Sequence, residues 1–215
     1  MREILSYFFS PENSMAQLVA SSDNQKIKSG IKYWLAAIIL LELFTMAIYR
    51  AMGLSIESLM MQLLLLPSAI RDMANENITW LIVSGYMILR TLLHAILKCG
   101  IWTLLLWVAS KLLKDTIDLK IILTITVYAI LNWLAVQYID VGAYLIANIC
   151  PINLINEIAE GIAAIANYWY LILIILGYVS INKENFFKGA IIVLVIQCIL
   201  WGICDIAPGF MSFLA

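Results

Sequence analysis

Long apolar stretches separated by short polar gaps constrain this sequence more than any other feature. They lie at Ile31–Met52, 80–113, Leu119–Ile139, Ile162–Asn182 and Phe187–Ile206. Each approaches the ~20 residues that a helix needs to cross ~30 Å of hydrocarbon. The chain is 64% hydrophobic and only 13% charged, which is too apolar for a water-soluble domain. The sequence therefore predicts an all-α, polytopic membrane protein with five transmembrane helices.

Lysines and arginines are concentrated in alternate gaps between the apolar stretches. One set of gaps contains Arg2, Lys26, Lys28, Lys32, Lys111, Lys114, Lys120, Lys183 and Lys188. Such residues mark the cytoplasmic side of a membrane protein. We therefore expect a cytoplasmic N-terminus and an extracytoplasmic C-terminus. The net charge of −1 gives no reason to expect a nucleic-acid partner.

The same pattern divides the chain into three parts. These are a cytoplasmic amphipathic segment at residues 1–30, a membrane domain at residues 31–206 and a short extracytoplasmic tail at residues 207–215. Within the first part, Ser10-Pro11 predicts a helix start, with serine as the cap and proline in the first position. Met15 and Leu18 would give this helix an apolar side that lies on the membrane surface.

Several segments leave alternatives open. Trp80–Leu113 is too long for one straight crossing, so it is either one tilted helix or a span preceded by a separate interfacial piece. Ile56–Leu66 is apolar but too short to cross, and Cys150-Pro151 opens an amphipathic stretch. We expect both at the outer surface. Trp34 and Tyr138 lie toward span ends, where amphipathic rings favour the membrane interface.

Charged residues inside the spans are the main candidates for a site. Glu42 lies midway along the first span, where a carboxylate costs about 2.5–3.5 kcal/mol on insertion scales. Arg90, His94 and Lys98 recur at a spacing of four in the second span, which places them on one side of a helix. A Glu42–Lys98 pair would make these residues structural, whereas binding of an ion, a lipid phosphate or a substrate would make them functional.

Uncharged polar residues in the later spans are predicted to form interhelical hydrogen bonds. They are Asn132, Gln137 and Gln197. The single histidine excludes a multi-histidine metal site, and the four cysteines form no CxxC pair. No phosphate-binding glycine loop or nucleophile motif is present. We therefore expect no catalytic residues, no metal and no cofactor.

Several short motifs are spread along the chain, namely Phe8-Phe9-Ser10-Pro11-Glu12, Leu104–Leu113, Tyr128-Ala129, Trp169 with Leu173, Leu176 and Gly177, and Lys188-Gly189-Ala190. Together these motifs resemble the Yip family of five-span membrane proteins. The resemblance is best over Leu104–Asp205. The chain departs from bacterial relatives at Lys114-Asp115, where they have Gly-Gly, and at Asn132, where they have proline. The Tyr/Gly/Pro signature of eukaryotic members is also absent.

The resemblance implies a bacterial cytoplasmic (inner) membrane location and a function without enzymatic activity. The first hypothesis is a protein that organises or assists another membrane assembly, as an accessory partner of an ABC-type exporter. A homo-oligomer is the other expected assembly, and the lipid bilayer is an expected partner in either case. The alternative hypothesis is a transporter of a small solute, an ion or a lipid that uses Glu42 and the Arg90/His94/Lys98 side of the second span.

Overall fold

A computed structural model describes residues 6–7, 9–52, 76–113, 115, 117–149, 157–158, 161–162, 164–165, 168–182 and 186–206. Its helices are α1 (Pro11–Ala20), α2 (Asn24–Ala51), α3 (Glu76–Leu112), α4 (Leu119–Ile149), α5 (Trp169–Asn182) and α6 (Phe186–Ile206). The predicted all-α class is confirmed for this part of the chain. The predictions for Ile56–Leu66, Cys150-Pro151 and the tail at 207–215 lie outside the described residues.

Three helices are long and apolar enough to cross a membrane, namely Asn24–Ala51, Ile82–Leu112 and Leu119–Ala143. The second belongs to α3, which is one continuous helix of 37 residues. At 1.5 Å per residue α3 is about 55 Å long, so it either tilts or extends beyond the hydrocarbon. The predicted fourth span corresponds to α5, whose 14 residues reach only about 21 Å. Five spans are therefore not confirmed.

The core of the bundle is built around α4, which packs against α2, α3 and α5. Apolar residues occur on all sides of α4, as expected of a helix enclosed by other helices. Fully buried side chains along it include Ile122, Ile125, Ala129, Ile130, Leu131 and Leu134. A side chain of α4 that contributes to a site is therefore positioned by contacts with several neighbouring helices.

Close packing joins α2 to α4. Gly30 lies so near Val127 that a methyl group at this glycine would overlap the valine side chain. The Trp34 indole N–H donates to the Val127 carbonyl at 2.9 Å, and the Tyr138 hydroxyl donates to the Ala37 carbonyl at 2.9 Å. The rings of Trp34 and Tyr138, which were predicted to be interface anchors, thus contact the main chain of a neighbouring helix. Residue numbers increase in the same direction along both helices, so α2 and α4 are parallel.

Helices α3 and α5 run antiparallel to α4. Thr103 of α3 lies 2.6 Å from Thr126 of α4, while Tyr178 of α5 donates to Asp115 just before α4 at 2.8 Å. One end of the bundle therefore contains the beginnings of α2, α4 and α6 and the ends of α3 and α5. We call it the basic end, because the lysines at or near these helix ends are Lys26, Lys28, Lys32, Lys111, Lys120 and Lys188.

Helix α1 packs on the bundle at the basic end, against α5 and α4. It begins at Pro11, as predicted, and buries Met15 and Leu18. Its apolar side therefore contacts other helices of the chain, and its location at the membrane surface stays a prediction. The predicted boundary after residue 30 also lies inside α2, since this helix begins at Asn24.

Candidate functional site

Glu42 is the only carboxylate among the described residues that line a cavity between α2, α3 and α4. It lies on the inner side of α2, where its side chain is 5% exposed. Leu40 and Leu43 occupy the outer side of the same turns and are more than half exposed. The 3.6-residue period of the helix thus directs the acid inward and the leucines outward. Because a charge within hydrocarbon is costly, the contacts of Glu42 are informative.

The partners of Glu42 come from α3. The Thr91 hydroxyl donates a hydrogen bond to Glu42 Oε1 at 2.5 Å. The neighbouring guanidinium of Arg90 interacts electrostatically with the same carboxylate, although Arg90 itself is exposed. The predicted Glu42–Lys98 pair is thus replaced by contacts two turns further toward the start of α3.

Lys98 is held by aromatic rings from two other helices. Its ammonium nitrogen lies 4.1 Å from the centroid of the Trp133 ring on α4 and 4.6 Å from that of Tyr170 on α5. A cation over the face of an aromatic ring is stabilised by about 2 kcal/mol when it is shielded from water. The ring of His94, one turn away on α3, lies 5.1 Å from the Trp133 ring. Trp133 therefore contacts both basic residues.

A cavity of about 230 Å³ lies among α2, α3 and α4. Its lining residues are Leu41, Glu42, Thr45, Met87, Arg90, Thr91, His94, Trp133, Gln137 and Val141. We call this cavity the central pocket. It brings together four of the residues selected from the sequence, Glu42, Arg90, His94 and Gln137. Lys98 lies one helical turn from His94, against the Trp133 ring.

The two other polar candidates lie outside the central pocket. Asn132 is fully buried, and its side-chain N–H donates to the Tyr128 carbonyl of its own helix at 2.9 Å. Its Oδ1 accepts no hydrogen bond from the described residues. Gln197 of α6 accepts a hydrogen bond from the Tyr170 hydroxyl of α5 at 3.4 Å, which is an interhelical contact.

The height of the central pocket along the bundle follows from helix geometry. Arg90 lies about 33 Å from the end of α3 at Leu112, whereas Lys98 lies about 21 Å from it. A hydrocarbon layer is about 30 Å thick. For a bundle whose basic end at Leu112 lies at one edge of the hydrocarbon, Arg90 would reach the headgroup level on the opposite side and Lys98 would lie inside the hydrocarbon.

Positively charged groups outnumber negatively charged groups at this site. Among the described residues, the central pocket and adjacent Lys98 contain one carboxylate, the permanently charged Arg90, the ammonium of Lys98 and the titratable His94. A group with negative charge would offset the excess, and Arg90 and Gln137 carry side-chain N–H groups of the kind that bind an anion. Within the described ranges, no three His, Cys, Asp or Glu side chains come close enough to hold a metal ion.

Sequence reasoning missed Thr91, Trp133 and Tyr170. Trp133 had a usable signal, because it lies in the middle of an apolar stretch and tryptophan is enriched at span ends. Thr91 and Tyr170 had none, since their roles depend on which residues face them. No protein-family model, curated protein or solved structure matches the chain.

Proposed function

We propose that this chain is a non-enzymatic integral membrane protein that binds the anionic headgroup of a membrane amphiphile in the central pocket and carries it within or across the bilayer. The observation that supports the proposal is the convergence of Glu42, Arg90, His94 and Gln137 on one cavity, with Lys98 beside it. This is the transporter alternative of the sequence analysis, restricted to an anionic substrate.

Charge supports an anion over a cation. Glu42 compensates one positive charge, and its carboxylate already interacts with Thr91 and Arg90. Lys98 has aromatic contacts but no carboxylate among the described residues. Two unit charges about 5 Å apart interact by about 3 kcal/mol at an effective dielectric constant of about 20. An incoming anion would be attracted accordingly, and a cation repelled.

The shape of the pocket supports an amphiphile over a free inorganic ion. Polar donors share the lining with the apolar side chains of Leu41, Met87 and Val141. Pockets of this mixed kind orient a ligand with a few polar groups and hold the rest by apolar contact. The exposed position of Arg90, at headgroup depth, is where the charged end of an amphiphile enters from the surrounding leaflet.

Equilibrium binding to the purified protein in phosphatidylcholine nanodiscs tests the proposal. The probes are radiolabelled decyl phosphate, decanol and decyltrimethylammonium, which share one tail and differ in charge. We expect saturable binding of decyl phosphate that exceeds the binding of either other probe about tenfold or more, as one charge-assisted hydrogen bond would give. Protein-free nanodiscs are the control. Equal binding of the three probes, or preference for the ammonium probe, would contradict the proposal.

We also propose a topology and a partner for this chain. We place α5 and α6 as the fourth and fifth spans and the basic end in the cytoplasm, because lysines favour that side. The bacterial location is implied by the resemblance to the Yip family. The accessory role beside an ABC-type exporter stays a prediction from the resemblance to the Yip family. A C-terminal reporter that functions only in the cytoplasm should be inactive, and an active one would contradict the extracytoplasmic C-terminus. Co-purification of an exporter in mild detergent tests the accessory role.

A further inference from the structure

A second cavity, of about 340 Å³, lies at the basic end between the first turns of α2 and the side of α4. Its lining residues are Asp23, Gln25, Lys26, Ser29, Tyr33 and Tyr128. We call it the basic-end pocket. None of these residues lines the central pocket, so the two cavities are separate.

Close packing of α2 against α4 forms the inner wall of the basic-end pocket. Gly30 packs against the side chains of Val127 and Tyr128, which brings α2 and α4 into contact immediately behind the cavity. The Tyr128 hydroxyl donates to the Lys26 carbonyl at 3.4 Å, and the Trp34 indole fixes the same pair of helices. The cavity is therefore a recess between two closely packed helices.

The chemistry of the lining is mixed in charge. Asp23 accepts a hydrogen bond from the Lys26 backbone N–H through Oδ1 at 2.7 Å, which caps α2. A carboxylate accepts several hydrogen bonds, so this cap leaves capacity for a second donor. The Lys26 side chain supplies a positive charge to the same cavity. Ser29 and Tyr33 add hydroxyl groups that donate to an anionic oxygen.

The lining also extends along the axis of α2, where Lys26 and Tyr33 are about 10 Å apart. With the basic end at the membrane surface, as proposed above, this distance leads from the level of charged headgroups toward the ester level, where tyrosine is enriched. A ligand with a positive and a negative group at one end and ester oxygens below it would meet complementary groups at every level.

We propose that the basic-end pocket binds the headgroup of a primary-amine, zwitterionic phospholipid. The lipid ammonium donates to the Asp23 carboxylate, and the lipid phosphate accepts from the Lys26 ammonium and the Ser29 hydroxyl. The Tyr33 hydroxyl donates to an oxygen closer to the glycerol. A choline headgroup has no N–H to donate, and a glycerol headgroup has no positive charge, so both fit this lining less well.

Native mass spectrometry of the full chain, released from nanodiscs that contain equal parts of phosphatidylethanolamine, phosphatidylcholine and phosphatidylglycerol, tests the proposal. We expect the first retained lipid to be phosphatidylethanolamine, in about tenfold excess over each competitor. Asp23→Asn should abolish the preference over phosphatidylcholine while the helix remains capped, because asparagine caps as well as aspartate. Lys28→Gln is the control for loss of a charge near the start of the same helix, since Lys28 lies on α2 but does not line the pocket.

Several results would overturn the assignment. They are retention without headgroup preference, an unchanged preference in Asp23→Asn, or a loss of preference in Lys28→Gln equal to that in Asp23→Asn. Displacement of the lipid by soluble phosphoethanolamine at comparable affinity would assign the site to a free solute instead and would also count against a lipid site. Arg90→Gln should leave this preference unchanged, which separates it from the function proposed for the central pocket.

Discussion

Replacement of Arg90 with glutamine is expected to weaken the binding of decyl phosphate about tenfold to a hundredfold. The guanidinium is the exposed cation at the central pocket, and hydrogen bonds to charged groups contribute about 1.5–3 kcal/mol. Glutamine retains an N–H donor and much of the side-chain volume, so the loss of affinity measures the contribution of the positive charge. The measurement is equilibrium binding in phosphatidylcholine nanodiscs.

Two variants control this prediction. Arg90→Lys keeps the charge but loses the paired donors of the guanidinium, so its affinity should lie between those of the wild type and Arg90→Gln. Arg50→Gln removes an exposed arginine at the end of α2 that does not line the central pocket, and it should bind like the wild type. Equal losses in Arg50→Gln and Arg90→Gln would indicate a nonspecific effect of net charge and would contradict a specific site.

Gly177→Leu is expected to detach α1 and to lower the free energy of unfolding by about 3 kcal/mol or more. A Cβ atom at Gly177 would lie 2.6 Å from Ile125 Cγ2 and 2.8 Å from Met15 Cε. Overpacking of a tight core costs about 1–3 kcal/mol. Exposure of Met15 and Leu18, which are 0% and 3% exposed, costs about 1.5–3 kcal/mol for each side chain. Thermal unfolding in detergent and proteolysis near residue 21 measure the two effects.

Gly100→Leu is the matched control for this substitution. A Cβ atom at Gly100 meets nothing within 4 Å, and leucine has a higher helix propensity than glycine. This variant should be at least as stable as the wild type and should keep α1 protected from protease. An equal loss of stability in both variants would show that the packing of α1 against α5 does not depend on the space left by Gly177.

The helices themselves were predictable because lipid leaves the backbone few alternatives. Backbone N–H and C=O groups within hydrocarbon must be satisfied internally, so a long apolar stretch forms a helix. The first helix was predictable from Ser10-Pro11 alone, and it begins at Pro11. The continuity of α3 could not be predicted. Trp80–Leu113 contains no proline or other signal that distinguishes one helix from two.

The partners within the site depended on the register between helices, which apolar sequences specify poorly. Thr91 and Lys98 are seven residues apart, so they lie on the same side of α3. Either Thr91 or Lys98 could have faced Glu42, and the opposite charges of Glu42 and Lys98 favoured the lysine. The structure places Thr91 there because α2 and α3 also meet at Met46 and Val83, which fixes the register. Lys98 then faces Trp133 and Tyr170 instead.

The packing of α1 was beyond prediction for a related reason. Met15 and Leu18 gave this helix an apolar side in the sequence, but an apolar side fits lipid as well as protein. Gly177 of α5, which lies more than 150 positions further along the sequence, leaves the space that the Met15 side chain occupies, and the sequence does not show that these two residues meet.

The affinity of decyl phosphate for Glu42→Gln tests the central claim most directly. Glutamine can still accept the Thr91 hydrogen bond, but the negative charge that opposes an anion is removed from the central pocket. Binding should tighten about tenfold, as expected for loss of about 1–2 kcal/mol of repulsion. The reciprocal variant Gln137→Glu adds a carboxylate to the same lining and should weaken binding. Weaker or unchanged binding in Glu42→Gln would contradict the account and would indicate a proton or cation site at Glu42.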